Sequence, residues 1–370
     1  FVIDRRAAQR LSVEHRGDYT KSFVTQLSVA FRKVINTDPN LLRNKRRPWK
    51  IKFEGESAVD AGGPGRELMA LVAASIFEPT TQLFIPVPDS ARNEGQYKDT
   101  FIPLDKTFRR AEDYMTIGRY LGIVLRTGFS QDLPFAPIVW KYLAHEKLNA
   151  EDIYEIDSQL RDQMNVVEQN CEQGNLVWKF TQWNGQQAYL PGHDANQLVR
   201  VEEADQYVRE VIQCRIDMIK PMMKMISNGF SENVGFKKHP LLTGKLLSRM
   251  AQGSSLIATE HLKSITVVSD YDGMNDPYVQ RFWRVVDKFN SEQKKLLLKF
   301  ITTFTRLPNP SINPDFRLQI DKMNTNNPDE CLPTAATCFN KLHLPSYSTD
   351  DICAEKALYP IQFCQYMENK

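Results

Sequence analysis

One cysteine of this sequence combines a reactive group with a setting that exposes it. Cys338 lies between a small polar residue, Thr337, and an aromatic one, Phe339, in the stretch 332–345. A turn containing proline precedes it and an apolar alternation follows, so we expect a loop that leads into a strand. Loops hold groups that reach solvent and partners. Because a thiolate is a strong nucleophile, the sequence predicts covalent chemistry at Cys338.

Four of the other cysteines, at 171, 214, 353 and 364, are expected to be structural, whereas Cys331 has a loop context but no flanking constellation. The chain contains six cysteines, at 171, 214, 331, 338, 353 and 364. None of them forms a Cys-x-x-Cys pair, and no histidine pair accompanies them, so we expect no metal site. Buried free cysteine behaves as a small hydrophobic residue. Reduced thiols point to the cytoplasm, and also to the nucleus, as the location.

The class of cysteine chemistry stays open at this level. A cysteine hydrolase needs a histidine base held near its thiol. The chain has six histidines, and His343 follows Cys338 most closely, although strand alternation does not fix which way its side chain points. An enzyme that receives an acyl group already activated as a thioester needs such a base less, so both classes remain.

A glycine-rich stretch at 59–67 invites comparison with phosphate-binding loops. No Gly-Lys-Ser/Thr follows it and its spacing does not fit a dinucleotide fingerprint, so we expect no nucleotide cofactor. We predict a tight turn at 62–65 and then a buried helix over 66–77. Asp60 and Glu67 would complement the dipole of that helix.

Composition and pattern predict a two-part α+β protein. The chain is 42% hydrophobic with a net charge of +2, so we expect neither nucleic-acid binding nor membrane insertion. Helical periodicity dominates before the flexible break Gly253-Ser254-Ser255. A strand is expected at 49–54. After the break, two amphipathic helices precede alternation at 316–320 and 342–344, which predicts a small sheet.

Three stretches together resemble the HECT family of ubiquitin-protein ligases. The first runs from Phe53 to Glu67 and carries Asp-Ala-Gly-Gly-Pro-Gly-Arg-Glu. The second comprises Arg281-Phe282-Trp283 with the later 300–308, and the third is Leu332-Pro333 with Thr337-Cys338-Phe339-Asn340. The resemblance covers essentially the whole chain in order.

The resemblance implies a bilobal α+β fold. A large, mostly helical N-lobe would span 1–253 and include a docking subdomain for a ubiquitin-conjugating enzyme at roughly 145–225. A smaller α/β C-lobe would span 256–370, and Gly253, Ser254 and Ser255 would form the hinge between them. We expect the chain, which begins at Phe1, to be part of a longer protein.

The resemblance also implies the reaction. Cys338 would take ubiquitin from the conjugating enzyme as a thioester and pass it to a lysine of a protein substrate, without a cofactor. Thr337, Phe339 and Asn340 would form the active-site loop. A non-catalytic binding module with the same fold remains an alternative.

Three positions depart from the family pattern. Thr303 replaces a glycine that the family usually has. Tyr366 stands where family members often need a phenylalanine for the final transfer, so we expect it to act there. Pro360 precedes it, and because proline removes a helical hydrogen bond, we expect it to interrupt the last helix.

Overall fold

The computed structural model describes residues 1–14, 19–43, 49–56, 63–104, 110–194, 196–234 and 241–367, with the backbone alone at 12–14, 39, 63 and 363–367. The buried hydrophobic residues form two separate cores. The first core extends from Ile3 to Ala251, and the second from Ile257 to Ile361. We call the parts of the chain that build them the N-lobe and the C-lobe. The fold is therefore bilobal, as expected.

The N-lobe is mostly helical. Its helices are α1 (Arg5–Glu14), α2 (Phe23–Thr37), α3 (Gly63–Ile76), α4 (Pro88–Arg92), α5 (Ala111–Thr127), α6 (Pro137–Leu143), α7 (Ala150–Tyr154), α8 (Ser158–Asn165), α9 (Val167–Glu172), α10 (Ala204–Val234) and α11 (Gly244–Gln252). Three two-stranded sheets pair β1 (Val2–Ile3) with β2 (Lys52–Phe53), β3 (Phe84–Pro86) with β4 (Phe101–Pro103), and β5 (Lys179–Thr181) with β6 (Gln187–Tyr189). No helix among the described residues has the length and apolar character that crossing a membrane requires.

Two helices, α5 and α10, form the centre of the N-lobe. Almost every residue of α5 from Asp113 to Leu125 is buried. A methyl group at Gly118 would lie 1.9 Å from the carbonyl oxygen of Ile226, and one at Gly229 would lie 2.0 Å from that of Met115. These glycines therefore allow the two helix backbones to approach closely, which fixes the platform on which the rest of the lobe packs.

The C-lobe packs helices on a mixed sheet. It contains α12 (Thr259–Ser264), α13 (Pro277–Asp287), α14 (Ser291–Thr302) and α15 (Asp350–Met367), with strands β7 (Thr266–Ser269), β8 (Leu318–Lys322), β9 (Thr334–Ala336) and β10 (Lys341–Leu344). The strand order is β7-β8-β10-β9, with β8 parallel to both neighbours and β9 antiparallel to β10. The expected α+β class and the small sheet are confirmed.

The prediction that Pro360 interrupts the last helix is wrong. α15 continues through Pro360 to Met367. Its buried stripe, Cys353, Ala357 and Ile361, repeats every four residues and packs in the C-lobe core. Burial of that stripe outweighs the hydrogen bond that proline removes, since packing usually overrides local helix propensity.

Two further boundaries differ from the sequence-based expectation. α3 begins at Gly63, so Gly63, Pro64 and Gly65 form its first turn and do not precede it as a separate turn. Proline fits there because the first turn of a helix leaves its N–H groups without helical partners. The strand expected at 49–54 is shorter, Lys52–Phe53, because β1 offers only two residues for pairing. Asp60 lies outside the described residues.

Candidate active site

Cys338 lies at the tip of a tight connection between two strands. Thr337–Phe339 form a single 3₁₀ turn that joins β9 to β10. The Cys338 residue is half-buried, whereas the Phe339 side chain is 68% exposed. The loop predicted from the sequence therefore exists, and it places Cys338 next to an exposed aromatic residue.

Asn340 closes this turn and fastens it to the sheet. Its backbone is left-handed, with φ of +52°, a conformation that asparagine tolerates better than most residues. Its side-chain amide donates to the carbonyl of Arg317 at 3.2 Å, and its own carbonyl accepts from the N–H of Gln319 at 2.9 Å. Asn340 thus fixes the loop to the start of β8.

An arginine of the N-lobe reaches the same turn. The Arg66 guanidinium, on the first turn of α3, donates from Nη1 to Oδ1 of Asn340 at 2.8 Å and from Nη2 to the carbonyl of Cys338. It also faces the ring of Phe129, 5.7 Å from the ring centroid. Burial lowers the pKa of Arg66, and attraction to a Cys338 thiolate opposes that effect. The turn that carries Cys338 is therefore held from both lobes.

A cleft between the lobes opens beside the turn. Its volume is about 700 Å³. Glu67 and Leu71 of α3 line one wall, Lys295 and Phe300 of α14 line the other, and Thr337 borders it next to Cys338. The lining combines apolar side chains with charged ones of both signs.

Comparison with known proteins identifies the family of this chain. A family model described as "HECT-domain (ubiquitin-transferase)" matches residues 70–370. The chain belongs to the HECT family. Cys338 falls inside the matched range, whereas Arg66 lies just before it. HECT-family proteins are ubiquitin transferases.

Several E3 ubiquitin-protein ligases are similar to this HECT domain. HERC2 of Mus musculus is 30% identical over 95% of the chain, and UPL1 of Arabidopsis thaliana is 26% identical over 97%. The human "Probable E3 ubiquitin-protein ligase HERC3" is 28% identical over 84%. The chain spans only 7%, 10% and 29% of the lengths of these three relatives, respectively.

Among the described residues of this HECT domain, no other titratable group forms a catalytic pair with Cys338. Within the described residues, no histidine is hydrogen-bonded to its thiol, and no cluster of potential metal ligands occurs. Cys331 is half-buried, with its sulfur 3.2 Å from the hydroxyl of Thr325. Burial raises the pKa of the Cys353 thiol to about 12, which keeps that group protonated.

The remaining site residues expected from sequence occupy distinct places. Gly253, Ser254 and Ser255 lie between α11 and α12, where the two cores separate. Ser254 exchanges two backbone hydrogen bonds with Leu307, at 2.9 and 3.0 Å. Tyr366 lies on the last turn of α15, and its side chain is outside the described part of the chain.

Sequence reasoning missed the contact between Arg66 and the active-site turn. The two partners are separated by 272 residues in sequence. The resemblance placed 53–67 and 332–340 among the family signatures, but it carried no statement that they touch. The local sequence shows only a charged residue directly after a glycine-rich stretch. Many helix starts that face solvent have the same pattern, so it does not predict a contact with Cys338.

Proposed function

We propose that this chain is the catalytic domain of a ubiquitin ligase. Cys338 accepts ubiquitin from a ubiquitin-conjugating enzyme as a thioester and passes it to a lysine of a protein substrate. The observation that carries this proposal is the position of Cys338, a half-exposed thiol on a strand-connecting turn within the range that matches the HECT family. Thr337, Phe339 and Asn340 shape that turn.

The geometry weighs against a cysteine hydrolase. Such an enzyme draws the proton from its thiol with a histidine held in hydrogen-bonding distance. Among the described residues no histidine is hydrogen-bonded to Cys338, and the side chain that contacts this residue is that of Arg66, which donates to the Cys338 carbonyl. Transfer of an acyl group from one thiol to another is nearly isoenergetic. An acyltransferase that receives a thioester therefore has less need of a histidine base and can use a partly ionised thiol.

The lobes would divide this work at the predicted hinge. We propose boundaries of 1–253 and 256–370, which agree with the separation of the two cores.

We also propose that 145–225 docks the conjugating enzyme. Four exposed large hydrophobic residues of that segment support this: Val166, Tyr189, Leu198 and Val201. Weaker binding of the conjugating enzyme by Tyr189→Ala would support the assignment, and unchanged binding would contradict it.

The context of the domain is also a proposal. Because the chain covers a small share of each relative, we propose that it acts as one part of a longer ligase. The described cysteines are free thiols, which fits a reducing compartment such as the cytoplasm, with the nucleus as a second location. Imaging of the tagged full-length protein tests the location, and a secreted protein would contradict it.

A charging assay tests the central proposal. Incubation with activating enzyme, conjugating enzyme and ubiquitin should yield an adduct that a thiol reductant removes. Cys338→Ala should abolish the adduct, because no nucleophile remains, and Cys338→Ser should give an oxyester that resists the reductant. Cys331→Ala is the matched control and should charge normally.

Two results would contradict this assignment. Normal charging of Cys338→Ala would place the thioester on another cysteine. A wild-type chain that binds the conjugating enzyme but never becomes charged would favour the non-catalytic binding module.

A further inference from the structure

Polar contacts connect the lobes at two places that differ in what they hold. One group lies at the hinge, where Ser254 pairs with Leu307 and the Arg306 guanidinium donates to the carbonyl of Gln252 at 2.9 Å and to Asp132 at 3.1 Å. The other group consists of the two hydrogen bonds that Arg66 donates to the active-site turn. The hinge group holds the base of the C-lobe, whereas Arg66 holds the turn that carries the nucleophile.

The Arg66 guanidinium suits this second task because of its shape. It is planar and offers several N–H groups in fixed directions, so it can bind two acceptors at once. Here the acceptors are the Cys338 carbonyl and the Asn340 amide oxygen, which flank the exposed Phe339. Asn340 is in turn bound to the carbonyl of Arg317. The turn is thereby fixed relative to both the C-lobe sheet and α3 of the N-lobe.

We propose that Arg66 is a positioning residue for the second transfer: it clamps the Cys338 turn to the N-lobe so that the ubiquitin thioester faces the cleft between the lobes. This rests on the proposed function of Cys338. The cleft supports it, since its lining includes Glu67, the neighbour of Arg66, and Thr337, the neighbour of Cys338. An acceptor lysine entering there meets a thioester whose position is set by two hydrogen bonds.

The step that benefits is aminolysis of the thioester. The uncharged lysine nitrogen attacks the thioester carbonyl carbon, a C–N bond forms and the C–S bond breaks. The Cys338 thiolate leaves and takes up the proton that the amine loses. Because the reacting atoms must lie about 3 Å apart, a loosely held turn slows this step strongly. We expect charging to depend less on the clamp, because the bound conjugating enzyme itself brings its thioester to Cys338.

The test compares the two steps in single turnovers. Wild type and Arg66→Ala are charged from the ubiquitin-loaded conjugating enzyme, and the charged species is then chased with free lysine. We expect charging to change by less than about 2-fold, and discharge at saturating lysine to fall by about 10-fold or more with little change in the lysine concentration for half-maximal rate. A loss in discharge without a loss in charging would show that Arg66 positions the thioester, because a weakened fold would slow both steps.

Three further variants sharpen the test. Arg66→Lys keeps the charge without the planar fork, so we expect it to discharge as slowly as Arg66→Ala. Asn340→Gly keeps the left-handed backbone but removes both the acceptor for Arg66 and the hydrogen bond to the Arg317 carbonyl, so we expect it to charge normally and to discharge more slowly than wild type. Arg126→Ala removes an arginine that donates to the carbonyls of Arg43 and Asn233 inside the N-lobe, and should leave both steps unchanged.

The outcomes separate this inference from the proposed function. If wild-type Cys338 never charges, the proposed function itself fails. If it charges and Arg66→Ala discharges normally, or if both steps fall equally, the clamp is overturned while the function stands. Full activity of Arg66→Lys would overturn the two-acceptor geometry and leave only a role for charge.

Discussion

Thr303 occupies a backbone conformation that suits glycine better than threonine. It ends α14 with φ of +71°, and its N–H donates to the carbonyl of Lys299 at 2.8 Å. A β-branched side chain is strained in this left-handed region. Its hydroxyl is buried and finds no hydrogen-bond partner among the described residues. The glycine that the family usually has at this place is therefore explained by the end of the helix.

Replacement of Thr303 by glycine should stabilise the protein. Relief of the left-handed conformation contributes about 1–3 kcal/mol, and the greater freedom of glycine in the unfolded chain offsets about 0.5–1 kcal/mol of it. We expect Thr303→Gly to raise the free energy of unfolding by about 1 kcal/mol, measured as a higher urea midpoint with an unchanged slope.

The neighbouring threonine is a matched control for this measurement. Thr302 is fully buried, and its hydroxyl donates to the carbonyl of Leu298 at 2.7 Å and accepts from the N–H of Phe304 at 3.0 Å. Thr302→Gly should therefore lower the urea midpoint. A lower midpoint for Thr303→Gly as well would show that the Thr303 side chain stabilises the end of α14.

At the scale of elements, the sequence predicts best where periodicity and burial agree. The alternation at 316–320 and 342–344 corresponds to β8 and β10 of the C-lobe sheet. Pro360 shows the opposite case, since local propensity predicted a break and the buried stripe of α15 maintains the helix. Strand order and the pairing of β8 with two parallel neighbours depend on long-range packing, which no local pattern encodes.

The last turn of α15 carries the residue expected to act in the second transfer. We expect a chain that ends at residue 365, and so lacks Tyr366, to charge Cys338 normally. Its rate of discharge to lysine should fall several-fold or more, because misplacing a reacting group lowers the rate steeply. Single-turnover charging and chase measure both steps.

A shorter truncation provides the control for the tail. A chain that ends at residue 367 keeps the whole of α15 as the structure has it, including Tyr366. It should behave as the full chain does. If the chains ending at 365 and at 370 discharge at the same rate, the tail takes no part in ligation, as is common for terminal residues.

At the scale of the whole molecule, the arrangement of the lobes depends on contacts that are remote in sequence. The hinge was predicted from the composition of 253–255, and the cores do separate there. The composition of this segment indicated flexibility. The structure instead shows Ser254 paired with Leu307 through two backbone hydrogen bonds. Phe129 of the N-lobe also packs on Phe304 of the C-lobe, with ring centroids 5.6 Å apart. The segment is thus both the boundary between the lobes and an attachment point.

Gly253 makes this attachment possible, and its replacement should loosen the lobes. Its backbone, with φ of +63° and ψ of −151°, lies in a region that is essentially confined to glycine. A methyl group there would lie 2.1 Å from the carbonyl oxygen of Leu307, the group that accepts the Ser254 N–H. We expect Gly253→Ala to break this pairing and to increase the radius of gyration in small-angle X-ray scattering.

The contribution of the clash can be separated from that of backbone strain. Gly273 also has a positive φ, +75°, but a methyl group there would meet no atom within 4 Å. Gly273→Ala therefore carries strain without a clash and should leave the lobe arrangement intact, at a cost of about 1 kcal/mol in stability. Since only Gly253→Ala displaces the Leu307 carbonyl, only that variant should expand. Equal scattering profiles for the two variants would show that the Ser254–Leu307 pairing does not hold the lobes together.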